Sequence, residues 1–266
     1  MLTDITLGQY FPGNSLLHRM DARVKIVLLF FYIVEIFLFD NNWCYLMNTM
    51  LAFVLVGVSR ISPRVVLKAI KPLWWILLLT FIIQLFSVPG EVLMKVWIFD
   101  LTYEGLEKGF FISLRLILLI GVSSLLMFTT SPLMLTDALE ALFKPLKKVG
   151  FPAHELAMMM TIALRFIPTL MEETDKIMKA QKSRGSDIGE GNLIAKAKSM
   201  IPILVPLFIS AFRRADELAM AMEARSYRGG EGRTRMKAMR MHKSDGWAIG
   251  SMAVYLAACG AVYWLV

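Results

Sequence analysis

Apolar and polar positions alternate along this chain on two scales. On the coarse scale, almost unbroken apolar runs fill residues 24–39, 43–58, 73–88, about 105–128 and 247–266. Runs of that kind predict five membrane-spanning helices, although several are near sixteen residues where a ~30 Å hydrocarbon layer asks for ~20. Flanking aromatics, snorkelling side chains or a locally thinner bilayer make up the difference. On the fine scale, the stretch 151–230 carries apolar positions at alternating steps of four and three. In its first half these are Leu156, Met160, Ala163, Ile167, Leu170, Thr174 and Ile177; in its second half, Leu204, Phe208, Ala211, Ala215, Leu218 and Met222. That spacing keeps side chains on one stripe of a helix and predicts two long helices.

Continued, the first stripe passes Gln181 and lands on Arg184, and the second lands on Arg225. Each arginine has an alanine one turn before it (Ala180, Ala221) and small residues beside it: Ser183 and Gly185, Ala224 and Ser226. A cation in a last turn complements the helix dipole, and a glycine caps the end. That accounts for either arginine alone. A solvated arginine, however, has no reason to prolong an apolar stripe, and two helices share the design. The duplication points to two tips presented to a partner, where small neighbours permit close approach and a guanidinium meets acceptors.

The connections set an orientation. The first 23 residues bring His18, Arg19 and Arg23 up to the first span, and a basic loop with Arg60, Arg64, Lys68 and Lys71 precedes the third, whereas the turn Asp40-Asn41-Asn42 between the first two is without positive charge. Basic connections stay in the cytoplasm, so the N-terminus is expected inside and, after five spans, the C-terminus outside. Pro89-Gly90 opens an outer segment to Tyr103 that reads equally as a short strand or an interfacial piece. Ser131-Pro132 has the capping hydroxyl and first-turn proline of a helix start, running to about Lys144. Pro152 opens the first long helix, which Pro168 is expected to bend. Gly-rich 186–192 ends it, and Pro202 and Pro206 are expected to kink the approach to the second. The segment IPILVPLFISAF at 201–212 is apolar enough to lie against lipid or a membrane partner, but too short and proline-rich for a span by itself.

Composition adds the class. At 57% hydrophobic and a mean hydropathy of +0.59, the 266 residues are too apolar for an ordinary soluble domain. Nineteen of 29 Lys and Arg and thirteen of 21 Asp and Glu fall between Ser131 and Gly246, giving a polar insert within a membrane domain. The division expected is 1–130, a four-span region; 131–246, a cytoplasmic region; and 247–266, a last span. A net charge of +8 is explained by chain orientation, with no nucleic-acid partner, because the basic residues interleave with acids beside the spans. The stretch RTRMKAMRMHK also suits anionic membrane lipid. Cys44 and Cys259 both lie in apolar runs and indicate neither a disulfide framework nor a metal site.

Catalytic motifs are missing. The sequence has no GxxxxGK[ST] loop for ATP, no HExxH or related ligand spacing among His18, His154 and His242, and no GxSxG serine. No catalytic residue and no metal ligand is therefore assigned. Intramembrane Glu35 and Arg115 both fall in the outer halves of their spans and are expected to pair with each other. Methionines crowd the long helices, among them Met158, Met159, Met160, Met171, Met178, Met220 and Met222; they fill cores, and their flexible side chains also suit a surface that accepts several partners.

Several stretches together resemble one family. They are Gly8-Gln-Tyr10; Ser15-Leu-Leu-His18-Arg-Met-Asp21-Ala-Arg23-Val-Lys25; Leu164-Arg-Phe-Ile-Pro168 with Glu172 and Glu173; Ala180-Gln-Lys-Ser-Arg184-Gly185; and Arg214-Ala-Asp-Glu-Leu-Ala219 running on to Arg225-Ser226-Tyr227. In this order, over nearly the whole chain, they resemble the transmembrane T component of energy-coupling factor (ECF) transporters, a branch of the ABC transporters for vitamins and metal ions. The resemblance implies an all-α membrane protein with five transmembrane helices and a large cytoplasmic region of long coupling helices in an L-shaped arrangement. It implies a non-catalytic subunit whose two arginine tips dock into two cytosolic ATPase subunits, which bind the ATP and Mg, so that this chain holds no cofactor. It also implies a small substrate-binding membrane partner, the S component, for which Met158, Met159, Leu204, Phe208 and Met220 are the candidate contacts. Where the family often has Ala-Arg-Gly, this chain has Ser-Arg-Gly and Ala-Arg-Ser, which touches affinity rather than role. A self-contained five-span carrier or channel and a passive membrane scaffold are the other classes the composition allows.

Overall fold

The computed structural model describes residues 10–96, 99–186, 192–230, 239 and 241–265. They fall into two compact units, one within Gly8–Leu135 and Ala238–Val266, the other within Thr136–Lys237.

The first unit begins with a single helical turn, α1 (Leu16–Arg19), and continues with α2 (Ala22–Leu38), α3 (Asn42–Ser59), α4 (Pro63–Ile70) and α5 (Trp74–Ser87). Side-chain oxygens of Ser15, Asp21 and Asn41 accept hydrogen bonds from the backbone N–H groups of His18, Arg23 and Trp43, which caps three of these starts. The long helix α6 (Tyr103–Thr129) is capped by Thr102, whose hydroxyl accepts from Gly105. After α7 (Pro132–Phe143), which leads into the other unit, the chain returns at α10 (Lys243–Leu265).

The core of this unit forms around Tyr32 and Ile36 of α2 and Leu118 and Val122 of α6, pairs one helical turn apart on facing stripes, with Leu51 and Leu55 of α3 and Met252 of α10 against them. A second cluster joins Val66 of α4 to Leu125 and Phe128 of α6. The basic connection at 60–71 is thus a helix rather than a loop: Pro63 sits in its first turn, and Val65, Val66 and Ala69 give it an apolar face that packs on α6. The segment after Pro89, read equally as a strand or an interfacial piece, is a hairpin of β1 (Val92–Val96) and β2 (Phe99–Thr102), antiparallel with Val96 opposite Phe99.

Glu35 and Arg115 do not pair. Asn48 of α3 donates to the Glu35 carboxylate at 3.0 Å inside the core. Arg115 reaches the α2–α3 turn instead, donating to Asp40 at 3.0 Å and to the Tyr45 hydroxyl, with its guanidinium 5.4 Å from the Phe37 ring centre and 5.5 Å from that of Tyr45. The reason is placement on α2. Glu35 lies on the face toward α3 and is 1% exposed, while the turn beyond it offers Arg115 a carboxylate and two rings.

At the other end of α2, Lys25 donates to the Thr129 carbonyl and the Thr130 hydroxyl, at 3.1 and 2.9 Å. The fully buried Asp245 of α10 accepts from the backbone N–H of Asp21 at 3.1 Å and of His242 at 2.8 Å. Helices α2, α6 and α10 are clasped there.

The second unit holds the end of α7, a 3-10 segment Lys144–Val149, and two long helices, α8 (Ala153–Ser183) and α9 (Leu193–Ala224). α8 runs unbroken through Pro168, and α9 through both Pro202 and Pro206. Proline 206 has no N–H to give the carbonyl of residue 202. The side-chain amide of Gln181 on α8 donates to that carbonyl, at 3.3 Å. With this repair the IPILVPLFISAF segment lies inside a 32-residue helix, not before one.

Among the described residues, five helical segments are long and apolar enough to cross a membrane: Asn42–Ser59, Pro63–Ser87, Tyr103–Thr129, Ile194–Ala224 and Lys243–Leu265. These are not quite the five expected. α2, with 17 residues, is shorter than any of them, and α9 enters because it starts eight residues before its apolar stretch. The fold is that of an all-α membrane protein carrying one small hairpin.

Candidate functional site

The two long helices end alike. At the end of α8, Arg184 is the C-cap, Gly185 takes the left-handed conformation at φ +82°, Gly185 N–H donates to the Lys182 carbonyl and Ser186 N–H to that of Gln181. At the end of α9, Arg225 is the C-cap, Ser226 is left-handed at φ +55°, Ser226 N–H donates to Glu223 and Tyr227 N–H to Met222. Both are Schellman ends with the same pair of bonds, five-to-two and six-to-one. Glycine takes that φ without strain, whereas serine does so at a cost of about 1 kcal/mol. The two sequences Ser-Arg-Gly and Ala-Arg-Ser therefore fold into one shape, with an exposed arginine at the C-cap of each.

Three contacts fix how the helices lie together. Gln181 meets Pro202, Glu173 accepts from Arg214 at 3.0 Å, and Met158 meets Tyr227, its sulfur accepting from the Tyr227 hydroxyl at 2.9 Å. As one number falls the other rises, so the helices are antiparallel. The tips consequently point away from each other: Arg184 lies beside the start of α9, and Arg225 beside the start of α8. At ~1.5 Å per residue, the 23 residues from Pro202 to Arg225 put the tips roughly 35 Å apart along the pair.

A hydrogen bond from Ser210, joined by the charge and the hydrogen bond of Arg214, outweighs the opposing effect of burial and holds the Glu173 carboxyl below the ordinary glutamate range. Next to the second tip, Tyr227 folds back on α8. Its hydroxyl lies 3.4 Å from His154 Nε2, and His154 Nδ1 is 2.9 Å from Glu140 of α7. Gly230 packs so closely on that imidazole that a Cβ there would stand 2.4 Å from His154 Cδ2.

Ala180, Ser183, Arg184 and Gly185, with Ala221, Ala224, Arg225 and Ser226, are all exposed, four at each tip. Among the methionine and apolar candidates, Met159, Leu204, Phe208 and Met220 are exposed, Phe208 by 60% and Met220 by 62%. Met158 is half-buried against Tyr227. The stripes need a correction toward their N-terminal halves. Ala153 and Ala157 are the covered positions of early α8, with Leu156, Met160 and Ala163 outside; on α9 the covered line runs through Ile203, Leu207, Ser210 and Arg214, one position before Leu204, Phe208, Ala211 and Ala215. Hydrophobicity alone marked the wrong ridge because the covered line of α9 turns polar at Ser210 and Arg214, which bond to Glu173, while the line beside it stays apolar. Both stripes converge on the intended positions farther along, at Ile177 and Gln181 and at Leu218 and Met222, which are half-buried.

Gln181, His154 and Tyr227 had no assigned role in the sequence. The signal for Gln181 was the proline pair itself, since a carbonyl orphaned by Pro206 needs an outside donor. Among the described residues no cluster of His, Cys, Asp and Glu has the geometry to hold a metal ion.

Apolar spanning helices together with a unit of two long helices that end in the same capped turn define an all-α membrane protein. Residues 13–236 match the family model CbiQ, described as a cobalt transport protein, and the chain belongs to that family. It is similar to proteins called energy-coupling factor transporter transmembrane protein EcfT. That of Acidaminococcus fermentans is 57% identical over 247 residues, 92% of this chain and 91% of the relative. That of Ruminiclostridium cellulolyticum is 53% identical over 256 residues, 96% of each. That of Bacillus subtilis is 45% identical over 258 residues, 97% of each.

Proposed function

We propose that this chain is the coupling subunit of an ECF-type transporter. It joins ATP hydrolysis in two cytosolic ATPase subunits to the reorientation of a small membrane subunit that binds the substrate, a vitamin or a metal ion. Arg184 and Arg225 are the docking residues, with Ala180, Ser183, Gly185, Ala221, Ala224 and Ser226 as the small surround that allows close approach. ATP and Mg belong to the ATPases, and this chain does no chemistry of its own. Met159, Leu204, Phe208 and Met220, with Met158 behind them, form the surface for the substrate-binding subunit. The four-span region 1–130 and the last span 247–266 anchor the coupling region 131–246, with the N-terminus in the cytoplasm and the C-terminus outside.

The observation that carries this reading is the identity of the two helix ends. Two sequences with different residues at the left-handed position adopt the same capped turn around an exposed arginine, at opposite ends of one antiparallel pair. That suits two equivalent sockets on two similar partners. Carboxylates or carbonyls in such sockets would receive the planar guanidinium fork.

Charge reversal tests it. Arg184→Glu and Arg225→Glu each weaken, and the double variant abolishes, co-purification of ATPase subunits from detergent-solubilised membranes, while the thermal unfolding of the chain stays unchanged because both sites are exposed. Undiminished co-purification with the double variant would falsify the docking assignment.

A further inference from the structure

In the first unit, away from α8 and α9, a cleft of about 420 Å³ opens between α1 and the end of α3. Its walls are Asn14 and Ser15, Leu16 and Val58, and two arginines, Arg19 and Arg60. The volume lies within the ~300–1,000 Å³ of small-molecule sites. Its floor at Gly57 is open: a Cβ there would meet nothing within 4 Å.

Arg60 is held unusually. It caps α3 in the left-handed conformation, φ +58°, its N–H donating to the Gly57 carbonyl at 3.3 Å. A glycine would end the helix there without strain. The left-handed turn instead places an arginine in the lining of the cleft together with Arg19, and a residue held in a sparsely populated conformation is a pointer to function. Both arginines are exposed, and among the described residues neither takes part in an ion pair.

The surroundings say which anion fits. α3 and the segment Pro63–Ser87 are consecutive membrane-crossing segments, so the link between them lies at a membrane edge. From the cleft an exposed apolar ridge runs along α3 through Val58, Val54 and Met50, one turn apart. On the other side, α4 keeps Arg64 and Lys68 exposed while its apolar face is buried. Because Val58 brings the foot of that ridge into the cleft wall, an anion carrying an apolar chain fills the site, where a small polar anion would cover only its arginines.

We propose that this cleft binds an anionic phospholipid, with Arg19 and Arg60 on the headgroup phosphate and an acyl chain along Val58, Val54 and Met50. The exposed cations of α4 add attraction for the anionic surface around it.

The test uses the full chain purified in zwitterionic detergent, with native mass spectrometry as the readout. Dioleoylphosphatidylglycerol is expected to be retained as one tightly held copy, in preference to dioleoylphosphatidylcholine, and inorganic phosphate at millimolar concentration should not displace it. At the attraction typical of a basic residue near an anionic surface, Arg19→Gln and Arg60→Gly each weaken retention about fivefold, and together roughly thirtyfold. Arg60→Gly keeps the idea testable because it removes the cation while relieving the backbone, so its melting temperature in phosphatidylcholine nanodiscs should not fall. Arg60→Lys should retain the lipid. Equal retention by the double variant, equal retention of phosphatidylcholine, or displacement by inorganic phosphate would each overturn the proposal, and none of these results bears on ATPase docking.

Discussion

Glu173 and Arg214 join the two long helices near their middle, the arginine Nη2 donating to the glutamate Oε2 at 3.0 Å. Each comes from a different stretch of the sequence, and neither stretch by itself shows that the two meet. Both side chains are partly exposed, so solvent screening limits the pair to about 0.5 kcal/mol of stability. A double-mutant cycle of Glu173→Gln and Arg214→Gln, read by thermal unfolding, should return a coupling of that size. The Glu173 carboxyl is held below its ordinary value of 4.5, so the contribution is complete above that pH and is lost as pH falls through the lower, folded-state value. A cycle whose coupling is as large at pH 3 as at pH 7 would contradict the assignment.

The two tips invite opposite substitutions. Ser226→Gly removes a left-handed serine and should stabilise the end of α9 by about 0.5–1 kcal/mol, whereas Gly185→Ala should destabilise the end of α8 by about 1 kcal/mol or more. Hydrogen exchange at Tyr227 and Ser186, the donors of the two closing bonds, would slow in the first variant and quicken in the second.

Gln181→Ala should loosen the first tip without touching its arginine, because the Pro202 carbonyl loses the only donor found for it among the described residues. A partly exposed carbonyl regains water, which keeps the cost near 1 kcal/mol. Protection from exchange should fall at the end of α8 and the start of α9 together, while protection at the end of α9 is unaffected.

In the membrane unit, Arg115→Gln and Tyr45→Phe should be non-additive in unfolding, since Tyr45 shares both Arg115 and Asp40, whereas Arg115→Gln and Glu35→Gln should simply add. Asn48→Ala removes the donor to buried Glu35 and should cost about 1–3 kcal/mol.

Asp245→Ala should be among the more damaging single changes. Two buried or half-buried backbone donors, at Asp21 and His242, lose their acceptor, at about 1–3 kcal/mol each. Asp21 beside it is held below the ordinary aspartate range, chiefly by its hydrogen bond from Arg23. Its share of stability is therefore present above the ordinary value of 3.8 and drains away in stronger acid. Unfolding followed between pH 5 and pH 2 would show this loss in the wild type and less of it in Arg23→Gln.

Much of this architecture could be read in advance because long apolar runs and a 3.6-residue period are local signals. The helices around Tyr32, Leu118 and Val122 and the helix ends at Arg184 and Arg225 are of that kind. Partnerships were less legible. Glu35 and Arg115 looked like a pair because they are opposite charges at similar depth, but depth does not say which way a helix is turned, and Asn48 and Asp40 lie closer on the faces actually presented. Pro202 and Pro206 looked like an interruption because a missing donor is visible in sequence while the replacement from Gln181 is not. On α8 and α9 the inner and outer ridges are both apolar at one end, and choosing between them requires the neighbour.

An α-helix scarcely changes length under load, since every turn is held by its own hydrogen bonds. On the docking proposed above, the α8–α9 pair, with its two ends facing opposite ways, is a spacer bar between the partners that take hold of Arg184 and Arg225. If those holders move closer or separate, the bar cannot shorten or stretch to follow, and only slewing or a scissoring of one rod across the other is left to it.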